Sequence, residues 1–373
     1  MLLMMLDHAR DFLYFGSVSE GIDPFDPNKS HWGLYVTRWV THLCAPTFVF
    51  LAGVSISIQK DNDKKGLPFF LFTRGLWLLF LEITLINFAW TFLPPFQVVF
   101  IQVIGAIGLS MMGMSLLILF PRMVAGIAGI GYLLVQHFLI GTFSAVEIDY
   151  PWFEVLTFRG GMVKGLTFDF FVPYPFLPWL AIMSLGFALG SFFSNSPNRK
   201  SGKSIAIYGL AGLGLFGGLR IWNVYGDRFP WSATPFTRNF WFEFWDVSKY
   251  PPSLQYILAT LGISAILFWC LDRWATGTLK KMLLTFGRVP MFFYVLHLFT
   301  VHLVAVGLFL IEGMPLSDLG KADTPFGIPS GYGYGLPMLY VIWLVLIVVT
   351  YFPCRWFENV KAKNKGQWWV SYT

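Results

Sequence analysis

"VPMFFYVLHLFTVHLVAVGLFLIE", residues 289–312, determines the class of fold. The stretch contains no Lys or Arg, and its only carboxylate is Glu312 at the end. About 20 apolar residues in a helix cross the roughly 30 Å hydrocarbon core of a bilayer. The sequence therefore predicts a membrane-spanning helix here, with His297 and His302 as its only interior side chains that ordinarily titrate near neutral pH.

The composition extends this prediction to the whole chain. Of the 373 residues, 56% are hydrophobic and only 12% are charged. Soluble domains contain about 25% charged residues, so this chain lacks the polar surface that a water-soluble body of its size needs. The composition predicts a polytopic membrane protein and excludes a soluble one.

Similar apolar runs recur along the chain and predict an all-α bundle of about ten transmembrane helices. A short apolar segment at the N-terminus provides the first helix. The other predicted spans are 38–58, 68–92, 98–120, 123–143, 174–193, 204–222, 253–271, 289–312 and 336–354. No connection exceeds about 30 residues, which is short for an independent domain, so we expect a single transmembrane domain over residues 1–373.

The basic residues give the orientation of these helices. Fourteen Lys and Arg residues lie in the connections 59–67, 121–122, 194–203, 272–281 and 355–373, whereas the longer alternate connections contain seven. The positive-inside rule then places the first set and both termini in the cytoplasm. This distribution explains the net charge of +6 through contacts with the lipid bilayer, without nucleic acid as a partner.

The opposite connections are long, acidic and aromatic, as in "YGDRFPWSATPFTRNFWFEFWD" at 225–246. Two interpretations stay open. Such residues form the interfacial aromatic belt of many membrane proteins; they also suit recognition of a polar acceptor such as a sugar.

Ionisable residues interrupt the first two predicted helices. "MMLDHARDFLYFG" (4–16) and "TRWVTHLCAP" (37–46) supply side chains that lie one turn apart on their helices. We expect them at similar depth near the outer leaflet. The set consists of Asp7, His8, Arg10, Asp11, Arg38 and His42, with His31 in the loop between the helices.

Two interpretations of this set stay open. Charges at helix ends can snorkel to the interface and pair with one another. Snorkelling does not require histidine, however, whereas an imidazole beside a carboxylate is suited to general-base catalysis. We therefore predict a polar catalytic pocket.

Other polar residues lie inside predicted spans. Glu82 and His297 are assigned to the substrate pocket, because a carboxylate at this depth must be protonated, paired or hydrated. His137 and His302 are interpreted as packed core or interface histidines. The histidines lack metal-ligand spacing, so no metal is predicted, and Cys44, Cys270 and Cys354 are not expected to form a disulfide framework.

Two arginines suggest a phosphate site on the cytoplasmic side. "FTRGLW" and "GRVPMFF" place Arg74 and Arg288 near the predicted starts of two helices, and helix N-termini favour anions. The alternative is ordinary anchoring by the positive-inside rule.

Several stretches together resemble a known family. They are "LDHARDF", "TRWVTHLCAPTFVFLAG", "TRGLWLLFLEITLINFAW", "PWLAIMSLGFALG", "KYPPSLQYILATLG", "GRVPMFFYVLHLFTVH" and "WWVSY". The chain resembles a bacterial branch of the DUF1624 family, which is related to the catalytic domain of heparan-α-glucosaminide N-acetyltransferase. The resemblance implies a transmembrane N- or O-acetyltransferase of the bacterial inner membrane. Acetyl-CoA would be the cytoplasmic donor, and the acceptor would be an amine or hydroxyl, such as a sugar or glycoconjugate, on the far side.

The resemblance also suggests roles for individual residues. In the lysosomal enzyme the catalytic histidine precedes the second helix, near His31, whereas the bacterial-branch motif includes His8 and His42. His8 or His42 would be the general base, Asp7 or Asp11 would orient it, and Arg10 or Arg38 would stabilise the pocket or developing charge. Lys249 joins Glu82 and His297 in the substrate pocket, and Arg74 and Arg288 would bind acetyl-CoA.

Three questions stay open at this stage. Family members have an Arg/Asp/Arg-Gly segment leading into helix one, so the chain is expected to begin midway through that helix. Transfer could be direct or could use an acyl-histidine, and a homo-oligomer is compatible with the sequence. The rival classes are a transporter or channel with a polar pathway, for which an internal repeat would be expected, and a structural membrane partner.

Overall fold

The chain folds almost entirely into helices. The computed structural model describes residues 1–15, 26, 30–92, 98–145, 151–165, 168–193, 202–232, 238–319, 329 and 332–372. In chain order its α-helices are α1 Leu2–Leu13, α2 Trp32–Thr41, α3 Cys44–Asp61, α4 Leu67–Leu81, α5 Asn87–Thr91, α6 Val103–Leu117, α7 Arg122–Ala145, α8 Pro151–Glu154, α9 Phe176–Leu189, α10 Gly202–Trp222, α11 Arg238–Trp245, α12 Leu254–Trp274, α13 Gly277–Arg288, α14 Pro290–Ile311 and α15 Leu336–Lys363.

Short π and 3₁₀ turns extend some of these helices. The π turns are Glu82–Ile86 and Val155–Arg159, and the 3₁₀ turns are Gly190–Phe192, Leu316–Asp318 and Trp368–Ser371. Three short strands, β1 Val98–Phe100, β2 Gly161–Val163 and β3 Asp169–Val172, form a sheet in the order β1-β3-β2. β3 pairs in parallel with β1 and antiparallel with β2.

The predicted fold class, an all-α polytopic membrane protein, is confirmed. Within the described residues, seven helical stretches are long and apolar enough to cross a membrane. They are Trp32–Asp61, Leu67–Thr91, Arg122–Ile140, Gly202–Trp222, Leu254–Trp274, Pro290–Ile311 and Leu336–Lys363. The other three predicted spans correspond to the shorter helices α1, α6 and α9, so the count of ten crossings and the side of the termini stay predictions.

Several predicted boundaries differ from the structure. The second span begins at Trp32 rather than residue 38, and residues 98–100 form a strand before α6 begins. Residues 277–288 form α13, although 277–281 were assigned to a connection and 282–288 to no element. This helix escaped the hydropathy pattern because Lys280 and Lys281 break its apolar run, leaving an amphipathic helix rather than a spanning one.

The break between α2 and α3 has a cause in the sequence. Proline lacks an N–H group, and its ring collides with the carbonyl of the residue four positions earlier. Pro46 therefore disrupts the helix at His42, and residues 42–43 form a turn. His42 thus lies at a helix break rather than on the continuous face predicted from the sequence.

The described residues group into two compact units. The first consists of 1–44, 84–96 and 275–373, and the second of 45–83 and 97–274. In the first unit α1 packs against α2, α14 and α15, and α5 packs against α14. The single transmembrane domain over residues 1–373 stays a prediction.

The second unit contains helix pairs that approach closely through small residues. The main pairs are α10 with α12, α4 with α6, and α7 with α9. Between α3 and α9, a Cβ added at Gly53 would lie 2.0 Å from Met183 O, and one at Gly186 would lie 2.0 Å from Phe50 O. Only glycine permits this backbone approach, which is characteristic of small-residue helix contacts in membranes.

In the first unit the end of α1 is joined to the segment before α15. Tyr334 N donates to Leu13 O over 2.7 Å, and Tyr14 and Tyr334 form a parallel bridge. Gly333 has a φ of +137°, and an added Cβ would lie 2.6 Å from Leu13 O. Glycine is therefore required at this crossing, which fixes one end of the helix that carries the candidate site.

Candidate functional site

A buried ionic cluster links α1 to α2 in the first unit. Asp7 Oδ1 accepts hydrogen bonds from Arg38 Nη1 at 3.0 Å and from Thr41 Oγ1 at 2.9 Å. Arg10 Nη2 lies 3.0 Å from the same Asp7 oxygen and 2.7 Å from Asp11 Oδ1. The helical spacing of three and four residues predicted this grouping on α1.

The cluster balances its charges while leaving one donor available. Two carboxylates face two guanidiniums, as is expected for charges removed from water. Arg10 is only 6% exposed, and its Nη1 is buried with no hydrogen-bond partner among the described residues. The cluster can therefore donate one more hydrogen bond to a polar group that enters it.

Arg38 lies deeper than the sequence indicated. Because α2 begins at Trp32, Arg38 is the seventh residue of the helix, about 9 Å along its axis from the first residue. Arg38 is thus inside the helix rather than at its start. A guanidinium in this position with a carboxylate partner is better described as part of a polar pocket than as a snorkelling anchor.

His8 faces a different wall of α1. At 100° per residue it lies about 160° around the helix from Arg10. Its Nδ1 lies 2.8 Å from Nε2 of His297 on α14, and the two rings stack with centroids 5.0 Å apart. His297 therefore occupies the orienting position next to His8 that the sequence analysis gave to Asp7 or Asp11.

The hydrogen bonds of His297 determine the tautomer of both rings. His297 Nδ1 lies 2.9 Å from Phe293 O, and a carbonyl can only accept, so this nitrogen carries the hydrogen. In a neutral His297 the Nε2 is then an acceptor, and His8 Nδ1 must donate to it. A neutral His8 consequently has its lone pair on Nε2, and this is the nitrogen at which it can accept a proton.

Aromatic side chains surround this histidine pair. The ring of Trp90 meets His8 edge to face with centroids 4.8 Å apart, and Phe12 stacks on Trp90 at 5.3 Å. Tyr294 lies edge-on to His8 at 6.3 Å. His297 is fully buried. An enclosure of this kind limits the access of water and strengthens hydrogen bonds within it.

The other two candidate histidines have separate positions. His42 is buried at the end of α2, one residue after Thr41. His31 is exposed and caps α2, because its Nδ1 accepts a hydrogen bond of 3.3 Å from Leu34 N. A neutral His31 in this cap has its hydrogen on Nε2 and therefore no lone pair there to act as a base.

A comparison with protein-family models found one family that matches this chain. The model of the heparan-alpha-glucosaminide N-acetyltransferase catalytic family matches residues 22–225, more than half of the sequence. The chain belongs to this family. No curated protein and no solved structure matches it. The relation predicted from the sequence is confirmed, while the DUF1624 assignment and the bacterial branch stay predictions.

Membership of the acetyltransferase family concerns part of the candidate site directly. The matched residues include His31, Arg38 and His42, whereas His8 and His297 lie outside them. The match therefore leaves the choice of the catalytic histidine to geometry and experiment.

Glu82 has a structural partner within the second unit. It begins the π turn that follows α4, is fully buried, and accepts a hydrogen bond of 2.5 Å from Gln102 N. Gln102 is the N-cap of α6, where a carboxylate offsets the positive end of the helix dipole. This capping contact explains a buried carboxylate without substrate, so the pocket role of Glu82 stays a prediction.

The two arginines predicted to bind acetyl-CoA differ in their position relative to a helix start. Arg74 is the eighth residue of α4, whereas Arg288 ends α13 and directly precedes Val289, the N-cap of α14. Burial lowers the pKa of the Lys64 amine, and the nearby Arg74 guanidinium lowers it further. The binding of acetyl-CoA by Arg74 and Arg288 stays a prediction.

Arg288 belongs to a second cationic group in the first unit. Its Nη1 lies 2.6 Å from Glu358 Oε1, while Arg355 Nη1 lies 2.7 Å from Glu358 Oε2. The side chains of Arg288 and Arg355 are 60% and 51% exposed. Glu358 thus holds two accessible guanidiniums side by side, with one positive charge in excess.

Lys249 lies in the second unit, next to a polar cluster that the sequence analysis did not identify. It is buried, and its amine lies 5.0 Å from the Tyr250 ring centroid. In this cluster Arg220 donates to Phe244 O at 2.8 Å and lies 3.8 Å from Asp227. Arg220 lies near the end of the predicted span 204–222, and hydropathy gives no signal for its buried partners.

The remaining predictions concern metals and packed histidines. Within the described ranges, no group of three His, Cys, Asp or Glu side chains could hold a metal ion. His302 is a packed core residue: its ring stacks on Phe92 at 3.9 Å, and its Nδ1 donates to Ala89 O at 2.8 Å.

Proposed function

We propose that this membrane acetyltransferase moves an acetyl group from cytoplasmic acetyl-CoA to an amine or hydroxyl acceptor, a sugar or glycoconjugate, on the extracytoplasmic side. A bacterial inner membrane is the proposed location. The single observation that carries the proposal is the His8–His297 hydrogen bond, which in the neutral pair places the His8 lone pair on Nε2, among aromatic side chains.

The proposed reaction is acyl transfer with His8 as general base. His8 Nε2 takes the proton of the acceptor as its nitrogen or oxygen attacks the thioester carbonyl carbon. The carbon–sulfur bond then breaks, and the proton passes to the departing CoA thiolate. Donation from His8 Nδ1 to His297 becomes stronger when the imidazolium forms, because a charged donor makes a stronger hydrogen bond.

The ionic cluster on the other wall of α1 would position this base. Asp7 holds Arg38 and Thr41, which fixes α1 against α2. Arg10 Nη1 is the donor available to a polar substrate group. An acyl-histidine intermediate is a second route, in which the imidazole nitrogen attacks the thioester first.

The test is a transfer assay on the whole protein in lipid nanodiscs. Radiolabelled acetyl-CoA is supplied with glucosamine, a glucosaminide or a hydroxyl-bearing lipid, and the products are separated by chromatography. The proposal predicts label on an acceptor and release of one free CoA per product. A transporter would give a different result. The label would stay on acetyl-CoA, and reconstituted vesicles would accumulate the unmodified acceptor.

For the donor site, we propose that Arg288 and Arg355 bind the phosphates of acetyl-CoA, with Arg74 in a separate contact. Two adjacent guanidiniums recognise phosphate well. Exchanging Arg288 for alanine should weaken CoA binding in calorimetry by about tenfold, as loss of one charged hydrogen bond predicts. The exposed Arg273, at the end of α12, provides a matched arginine-to-alanine control. Equal CoA affinity in Arg288→Ala and wild type would leave this arginine as an anchor.

A further inference from the structure

A cavity in the second unit is independent of the proposed acetyl-transfer site. It has a volume of about 360 Å³ and lies among the later half of α7, the segment after α10 and the start of α12. Its lining includes Gln136, His137, Asp227, Arg228 and Phe229. In the predicted topology all three elements meet at the extracytoplasmic ends of their helices, and the volume is that of a small-molecule site.

Gln136 lines this cavity, and its side-chain amide carries a hydrogen-bond acceptor. Its Nε2 donates to Pro252 O at 2.7 Å, and since a carbonyl can only accept, the orientation of the amide is fixed. Gln136 is 3% exposed, and its Oε1 is buried with no donor within the described part of the chain. A buried carbonyl without a donor is unfavourable. A ligand with an O–H or N–H group would remove this cost.

The carboxylate of Asp227 is already occupied. It accepts hydrogen bonds from Arg228 N at 2.6 Å, Ser248 Oγ at 2.6 Å and Ser253 Oγ at 3.3 Å, and lies 3.8 Å from Arg220. Arg220 also compensates its charge. The cavity therefore offers no free carboxylate to bind a simple cation.

The rim of the cavity combines a cation with apolar surface. The exposed Arg228 guanidinium lies 5.0 Å from the ring centroid of Phe229, which is 64% exposed. On α7, Phe138 and Leu134 are 63% and 46% exposed. In a membrane-spanning helix such side chains face acyl chains, so the rim pairs a phosphate-binding group with lipid-facing surface.

From these contacts, we propose that the cavity binds the headgroup of a phospholipid that carries a hydrogen-bond donor. A headgroup hydroxyl or ammonium donates to Gln136 Oε1, the phosphate meets Arg228, and an acyl chain follows Phe138 and Phe229. Glycerol and ethanolamine headgroups carry such donors. Choline has none, and the structure therefore predicts discrimination against phosphatidylcholine.

The test is native mass spectrometry of the whole detergent-purified protein with dioleoyl phosphatidylglycerol, phosphatidylethanolamine or phosphatidylcholine added separately. We expect the two donor-bearing lipids to bind about tenfold more tightly than phosphatidylcholine, as loss of one hydrogen bond implies. Equal retention of all three would overturn the proposal. Binding of water-soluble glycerol phosphate with the affinity of the whole lipid would overturn its lipid part.

Variants localise the binding. Gln136→Leu should remove the discrimination between headgroups. Ile140→Trp fills the cavity without changing the amide and should remove lipid binding. This second variant provides the test if Gln136→Leu fails to fold. Tyr132→Phe is the matched control. Tyr132 lies one turn before Gln136 on α7 and outside the cavity lining, so this variant should bind the lipids as wild type does. Unchanged binding in folded Ile140→Trp would exclude the cavity as the site.

Discussion

The side chain of His8 shows how a proposed catalytic role depends on one partner that is distant in the chain. Its ring lies on the side of α1 that faces α14, where His297 accepts its Nδ1 hydrogen and Phe293 O fixes the tautomer of His297. Asp7, its neighbour in the chain, is instead engaged by Arg38 and Thr41. Asp7 and His8 are adjacent on α1 and yet bond to residues of different helices.

At the residue scale, the role of His8 as base leads to the first kinetic prediction. A general base contributes about 10²–10⁴-fold to rate, so His8→Ala should lose a factor of this size in kcat while folding normally. His297→Phe should lose less, because the base is retained but its tautomer is no longer fixed. Measured pH–rate profiles should move in His297→Phe, which a merely structural change would not cause.

His302→Gln is the matched control for these variants. His302 is buried on the same helix and bonded to a carbonyl, yet it has no role in the proposed reaction, so its kcat should equal that of wild type. His31→Ala distinguishes the alternative pattern. If well-folded His31→Ala alone loses transfer while His8→Ala and His42→Ala remain fully active, the assignment of His8 is wrong.

The ionic cluster leads to a prediction about stability. Asp7→Asn removes the charge that compensates Arg10 and Arg38, and breaking a buried pair costs about 3–5 kcal/mol. The same exchange at Asp61, whose pair with Arg122 is partly exposed, should cost at most about 1 kcal/mol. Thermal unfolding of the purified variants compares the two losses. A Tm that falls equally in both would mean that the cluster at Asp7 is effectively solvated.

At the element scale, two long helices are interrupted near the candidate residues. Pro46 ends α2 at His42, and a π turn begins at Glu82. π turns inside helices are frequent at functional sites. In this chain the π turn carries the carboxylate that caps α6, so an irregular element of one helix supports the start of another.

The close contact between α3 and α9 predicts that adding one methyl group at Gly186 lowers the stability of the protein. Gly186→Ala would place a Cβ 2.0 Å from Phe50 O, and a backbone atom cannot move aside as a side chain can. We expect a loss of about 1–3 kcal/mol, the usual cost of overpacking, measured as a lower Tm in detergent. Gly131→Ala, on α7 with nothing within 4 Å of its added Cβ, should retain or slightly raise stability.

At the scale of the whole molecule, the distribution of Lys and Arg predicts ten crossings with both termini in the cytoplasm. Single cysteines at Lys203 and Asp246, both exposed, can be introduced after replacement of the three native cysteines. An impermeant maleimide should label the second and not the first in intact cells, since the model of ten spans places them on opposite sides. Equal labelling at both positions would refute this topology.

Much of the fold could be predicted because it follows from local hydropathy. Each predicted apolar run contains a helix, and the boundaries of α7, α10, α12 and α14 agree with prediction to within about three residues. The errors have local causes as well. Arg38 interrupts the apolar run that begins at Trp32, so the span was predicted to start six residues late, and α13 is amphipathic. Part of the candidate site could also be predicted, because three- and four-residue spacing groups Asp7, Arg10 and Asp11.

The sequence alone therefore determined the membrane class, the helical segments and the charged face of α1, since each depends on composition or on spacing within one helix. Only the tertiary structure paired His8 with His297, gave Glu82 to the N-terminus of α6, and oriented Gln136 in its cavity. The physical reason is that these contacts join residues distant in the chain, and hydrogen bonds depend on direction and distance. Periodicity identifies the face on which a side chain lies, but the partner is fixed by the packing of the helices.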